Sequence, residues 1–176
     1  IRANPGKLNY GTGNSTSIVT TAQLAMLEKL EMVHIPYKGD APLSNDIVAG
    51  RVQIAIGTPG TAIQHAKEGK LRVLATLLPT RSALAPDAPT MAEAGVPKLS
   101  IVSFAGLFGP AKMPKDVVDK IARATATVLA RRDVLDGLDR LAFEGRSSTP
   151  EELGAFLKEQ VEIWRRTVKE VGIAPD

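Results

Sequence analysis

The sequence predicts an α/β domain with a mostly parallel sheet flanked by helices. Apolar runs of strand length alternate, over the first 76 residues, with segments whose apolar residues recur at helical spacing. The connections between these segments are short and rich in glycine, proline and serine. Alternation of this kind is typical of layered domains in which helices cover a parallel sheet.

Four strands and three helices are predicted in the first 76 residues. The strands are expected at 8–10, 31–35, 52–56 and 71–76. The first helix carries apolar residues from Val19 to Leu30 and is expected to be capped by Ser15, Thr16 or Ser17. The other two helices are expected at 41–49 and 61–68, since Gly50 and Gly69 follow them.

The second part of the chain has a different texture. Prolines interrupt residues 78–97 around a short predicted helix at 91–94, and the apolar run 101–108 favours a strand. Helices are predicted at 115–130 and 134–141. A longer helix is predicted to begin after Thr149 and to extend to Val171, because a capping threonine, a proline and two acids begin it.

The composition excludes several classes of function. Apolar residues make up 44% of the 176 residues and charged residues 23%, as is usual in globular domains. The absence of cysteine excludes a disulfide framework, a thiolate metal site and a cysteine nucleophile. Neither histidine lies in a cluster with metal-binding spacing, so no metal is expected. The net charge of +3 is mild and the basic residues are dispersed, so no nucleic-acid contact is expected.

The loops after the predicted strands are the candidate site. The carboxyl ends of parallel strands share one edge of a sheet, so the loops at 11–17, 36–41 and 57–61 should converge there. The first loop, Tyr10 to Ser17, contains small and hydroxyl-bearing residues and opens into a helix. Backbone N–H groups at such a point can bind an anion. A simple turn with an N-cap would explain the same residues, and the sequence alone does not decide between the two.

Several runs occur in a characteristic order: NPGKLNYG at 4–11, VHIPYKG at 33–39, AGRVQ at 49–53, GKLRVLA at 69–75 and PTMAEAGVP at 89–97. Together with GLFGP at 106–110, Trp164 and Gly172-Ile173, they resemble the extracytoplasmic solute receptors of tripartite tricarboxylate transporters, the Bug or TctC-like family. The resemblance extends over the length of the chain.

The resemblance implies a periplasmic binding-protein fold, type II-like, in which two α/β lobes enclose a ligand. Residues 1–103 would form the second lobe. Residues 104–176 would form a crossing strand and C-terminal helices that belong to the first lobe or pack on it. The earlier half of the first lobe is outside the chain, which would expose apolar surface and favour dimerisation or lobe swapping.

The resemblance also implies a function without catalysis or cofactors. The protein would capture a small di-, tri- or aromatic carboxylate in the cleft and deliver it to the membrane permease of a tripartite transporter. It would act in the periplasm of a Gram-negative bacterium, and the chain contains no signal peptide. The alternative on the same fold is a ligand-sensing subunit of a signalling system. An enzyme is disfavoured because no Walker lysine motif and no convincing Ser/His/Asp order are present.

The resemblance places the ligand contacts on the loops, and two interpretations stay open. Lys38 could instead be a solvated loop lysine, and Phe104 could be a core aromatic beside the crossing strand. Many members carry an acid near Gly57 and Thr58, so its absence argues against an amino-acid ligand. The predicted ligand-binding residues are Thr12, Gly13, Asn14, Ser15, Thr16, Ser17, Tyr37, Lys38, Gly39, Thr58, Thr61 and Phe104.

Overall fold

The structure, a computed structural model, describes residues 1–96, 99, 101, 103–141 and 143–173, without the side chain of Thr61. Three strands and six helices are formed in this part of the chain. In order they are β1 (Asn9–Thr12), α1 (Ser15–Glu28), β2 (Val33–Pro36), α2 (Asp40–Val48), β3 (Ile54–Ala55), α3 (Pro59–Lys67), α4 (Lys115–Leu129), α5 (Arg132–Asp139) and α6 (Pro150–Glu170).

The strands form one parallel sheet in the order β2-β1-β3. Tyr10 in the central strand is paired with His34 on one side and with Ile54 on the other. The chain moves from β1 to one neighbour and then crosses back to the other. Because such crossovers are right-handed, α1 and α2 cover opposite faces of the sheet. The α/β class predicted from the sequence, with a parallel sheet between helices, is therefore confirmed.

The core lies close to β1, where a glycine lets α2 approach the sheet. A methyl group at Gly11 would overlap the Leu43 side chain and would lie 3.3 Å from Cγ1 of Val52. Leu43 and Val52 are both buried. On α1, Val19 and Thr20 are buried, and α1 packs against α6. The loops at the end of β1 are therefore supported by buried, packed side chains.

Three predicted elements are not formed. Residues 71–76 do not make a fourth strand, and only Thr76 forms an isolated bridge, with Thr90. The segment 91–94 is a turn, and no strand is assigned to the described residues of the run 101–108. Val73, Leu74, Leu77 and Leu78 stay exposed, Leu74 at 63%, which agrees with the lack of a pairing partner.

The C-terminal helices follow their predicted bounds closely. Thr149 caps α6, because its Oγ1 accepts from the Glu152 N–H at 3.1 Å and its own N–H donates to Glu152 Oε2 at 2.8 Å. Pro150 is the first residue of this helix. Within the described residues, no helix is long and apolar enough to cross a membrane.

Candidate functional site

The loops after the three strands meet at one edge of the sheet, as predicted. Thr12 and Pro36, the last residues of β1 and β2, are paired. The Tyr37 N–H then donates to the Thr12 carbonyl at 2.8 Å, so the second loop starts beside the first. The third loop joins them through Thr58, whose hydroxyl donates to Oδ2 of Asp40 at 2.8 Å.

The first loop ends in a capped helix whose N-terminus lies at this edge. The cap is Asn14, not Ser15, Thr16 or Ser17 as expected, because Asn14 alone has the extended backbone of an N-cap (φ −157°, ψ 166°). Its Oδ1 accepts from the Ser17 N–H at 2.9 Å, and its N–H donates to Ser17 Oγ at 3.2 Å. No acid lies in the first turn of α1, so the positive end of the helix dipole is not neutralised within its own helix.

Close backbone approach explains one of the predicted glycines, Gly13, and a positive φ explains the other, Gly39. A methyl group at Gly13 would lie 2.7 Å from the carbonyl carbon of Gly39 and 2.8 Å from the Asp40 nitrogen. Gly39 has a φ of +109°, which side chains rarely adopt. The first loop can lie against the second because Gly13 has no side chain, whereas Gly39 allows the positive φ of the second loop.

Asp40 joins the loops, although it is not among the residues predicted from the sequence. Its Oδ1 accepts from Asn14 Nδ2 at 3.0 Å, and its Oδ2 accepts from the Thr58 hydroxyl at 2.8 Å and from the Thr58 N–H at 3.3 Å. The residues joined are separated by 26 and 18 positions in sequence. The only local signal is an acid directly after a glycine at a predicted helix start, which marks a stabilising charge and not a loop contact.

Tyr37 lies in the second loop, with its side chain directed at α2. Its hydroxyl donates to Asp46 Oδ2 at 2.8 Å, and Arg51 pairs with the same carboxylate. Desolvation, followed by the hydrogen bond to Asp46, raises the pKa of Tyr37. The Tyr37 hydrogen bond and the Arg51 guanidinium lower the pKa of Asp46. The Tyr37 hydroxyl is therefore already bonded within the protein.

Thr12 supports the edge from inside the sheet. Its side chain is buried, and its Oγ1 lies 2.7 Å from Nε2 of His34. The His34 ring stacks on Tyr10, with 4.8 Å between the ring centroids. Desolvation lowers the pKa of His34 and raises that of Tyr10. The neutral imidazole is therefore the form that this packing favours.

The remaining predicted residues have varied surroundings. Ser15 is exposed and Thr16 half-buried in the first turn of α1, and Lys38 is exposed in the second loop. Thr61 lies in α3, and its side chain is outside the described part. Phe104 meets Phe156 of α6 edge to face, with ring centroids 5.0 Å apart. Its ring thus contacts the C-terminal helix.

The described residues contain no group of three histidine or acidic side chains that could hold a metal ion. What the edge offers is chemically simple: hydroxyl groups, backbone N–H groups at a helix start, and one carboxylate. Such an arrangement can bind a polar ligand by hydrogen bonds.

Comparison with known proteins gives a consistent result. The model of the "Tripartite tricarboxylate transporter family receptor" family matches residues 1–173. A protein of Pseudomonas sp. (strain P51), "UPF0065 protein in tcbD-tcbE intergenic region", is 33% identical over 172 residues, which are 96% of this chain and 51% of that protein. The chain therefore spans about half the length of this relative.

Solved structures agree with the family match. "R. palustris Rpa4515 with adipate" has a TM-score of 0.89 and 27% identity, over 99% of this chain and 59% of that one. The structure of periplasmic binding protein BugD has a TM-score of 0.83 and 27% identity, over 99% of this chain and 60% of that one. MatC from Rhodopseudomonas palustris, with bound malate, has a TM-score of 0.76 and 26% identity, over 93% of this chain and 57% of that one. The family and the fold are those of substrate-binding receptors and not of enzymes.

Proposed function

Because the chain belongs to the tripartite tricarboxylate transporter receptor family, we propose that it binds a small organic carboxylate at the loop edge for delivery to a permease. The observation that carries this proposal is the start of α1. Its first turn has no acid, and it opens at the meeting point of three loops. The ligands of the similar structures, adipate and malate, are carboxylates of the expected kind.

The first turn of α1 supplies the groups that would bind the ligand. Ser15 and Thr16 each carry a hydroxyl and a backbone N–H there. A carboxylate accepts several such bonds, and the helix dipole adds favourable electrostatic energy of about 0.3–1 kcal/mol. Asn14 and Ser17 hold this turn in place through the cap, and Gly13 lets the second loop lie against the first.

A second lobe is part of the proposal, since the structural neighbours are longer than this chain. α4 packs against α5 and α6, and exposed apolar side chains at helical spacing form one stripe on it, the α4 stripe. We propose that residues 1–103 form one lobe and that the α4 stripe packs on the other. The stripe consists of Val117, Ile121, Ala124 and Val128.

Periplasmic capture for a tripartite permease is the cellular role that fits this family best. The receptor would close two lobes around its ligand and present the closed form to the permease. Deleting the gene should then abolish uptake of one carboxylate class. Loss of a signalling response with normal uptake would contradict transport.

A thermal-shift screen of di-, tri- and aromatic carboxylates on the complete gene product tests binding directly. A ligand at about 100 times its dissociation constant should add roughly 2.7 kcal/mol to the free energy of unfolding. A Ser15→Ala/Thr16→Val variant should lose most of this shift. Ser147→Ala/Ser148→Ala, in the loop before α6, is the matched control and should keep it. No saturable shift with any carboxylate would refute the proposed function.

A further inference from the structure

The Asp40 carboxylate accepts hydrogen bonds from two of the predicted ligand-binding residues. The Asn14 amide and the Thr58 hydroxyl both belong to the predicted binding residues, and both donate to Asp40. The binding edge therefore already holds one carboxylate, supplied by the protein.

Its three bonded partners are uncharged, so Asp40 brings negative charge to the edge. They are a side-chain amide, a hydroxyl and a backbone N–H. A ligand group that donates a hydrogen bond to Asp40 would be attracted, and it would offset the repulsion between Asp40 and a ligand carboxylate at the start of α1. A carboxylate has about four lone-pair positions, so after three bonds Asp40 can still accept one more.

Asp40 also places a carboxylate beside the third loop. The third loop has Gly57 and Thr58 where an acidic residue could pair with a ligand ammonium group, so its own sequence disfavours such a ligand. Asp40 Oδ2 nevertheless lies 2.8 Å from the Thr58 hydroxyl. The acid that the third loop lacks is thus supplied by the start of α2.

We propose that Asp40 determines ligand specificity by selecting carboxylates with a hydroxyl or ammonium group beside the carboxylate, over plain dicarboxylates. The ligand carboxylate binds at the start of α1, and the neighbouring hydroxyl or ammonium donates to Asp40. This inference rests on the proposed function, since it assigns the ligand class of the same site.

Succinate, malate and aspartate test the idea, because they share one carbon skeleton and differ in having hydrogen, hydroxyl or ammonium at a single carbon. Their dissociation constants are measured by calorimetry on the complete gene product. The wild type should bind malate or aspartate at least about tenfold more tightly than succinate, as expected for a hydrogen bond to a charged group. Asp40→Asn should reduce this ratio about tenfold, mainly by weakening the ligand that carries the donor.

Controls separate specificity from stability. Asp40→Ser, a second neutral variant, should reduce the preference over succinate in the same way. Asp139→Asn in α5 removes the same charge elsewhere and should leave this preference unchanged. Equal binding of all three ligands by the wild type, or a ratio unaffected in both Asp40 variants, would overturn this inference and leave the receptor function standing. If no carboxylate binds at all, the proposed function fails and the inference fails with it.

Discussion

At the scale of single residues, Gly13 lets the first loop lie against the start of α2. A methyl group there would lie 2.7 Å from the Gly39 carbonyl carbon and would also overlap the Asp40 carboxylate. Gly13→Ala should therefore force the loops apart and lower the free energy of unfolding by about 1–3 kcal/mol. Chemical denaturation measures the loss, and carboxylate affinity should fall with it.

Gly60→Ala is the matched control for that substitution. Gly60 lies in α3, and a methyl group there would meet nothing within 4 Å. Its stability should stay the same or rise by up to about 1 kcal/mol, since alanine favours the helix. Equal stability of the two variants would contradict the close approach at Gly13.

His34 should make stability depend on pH. Its pKa is lowered from the usual 6.5, chiefly by desolvation, so the unfolded chain takes up a proton first as the pH falls. The contribution of neutral His34 to stability is therefore fully present above pH 6.5 and is lost as the pH falls from 6.5 through the lower pKa of the folded state. His34→Gln should flatten the decline in unfolding free energy between pH 7 and pH 5. Parallel curves for the two proteins would contradict the assignment.

At the scale of elements, the caps of α1 and α6 offer a paired experiment. Asn14→Ala and Thr149→Ala each remove a capping side chain, and each should cost about 1 kcal/mol in denaturation. Only Asn14→Ala should also weaken carboxylate binding, because Asn14 donates a hydrogen bond to Asp40 in addition to capping α1. Equal affinity in both variants would assign Asn14 a purely structural role.

Local signals explain which elements the sequence predicts well. The start of α6 is encoded by neighbours, Thr149, Pro150 and Glu152, so it could be located within a residue. The strand expected at 71–76 needs a partner distant in sequence, and apolar composition alone does not provide one. Asp40 was missed for the same reason, because its contacts to Asn14 and Thr58 exist only once the sheet has formed.

At the scale of the whole molecule, substitutions in the α4 stripe test whether a second lobe covers it. Val117, Ile121 and Val128 are each 39–46% exposed in this chain. If another lobe covers them, Val128→Lys in the complete gene product should cost about 2 kcal/mol of unfolding free energy, the value of a buried valine. Thr127→Lys, at an exposed neighbour, should change it by less than about 0.5 kcal/mol. Small, equal effects would leave the stripe at the surface.

The bond from the Thr58 N–H to Asp40 makes one backbone amide a reporter of motion at the edge. At 3.3 Å this is the longest of the Asp40 contacts, and its donor, Thr58, lies outside any regular strand or helix. Hydrogen exchange at Thr58 should therefore follow the separation of the third loop from α2, independently of global unfolding. A bound ligand that holds the loops together should slow this exchange, so the amide offers a label-free view of closure in solution.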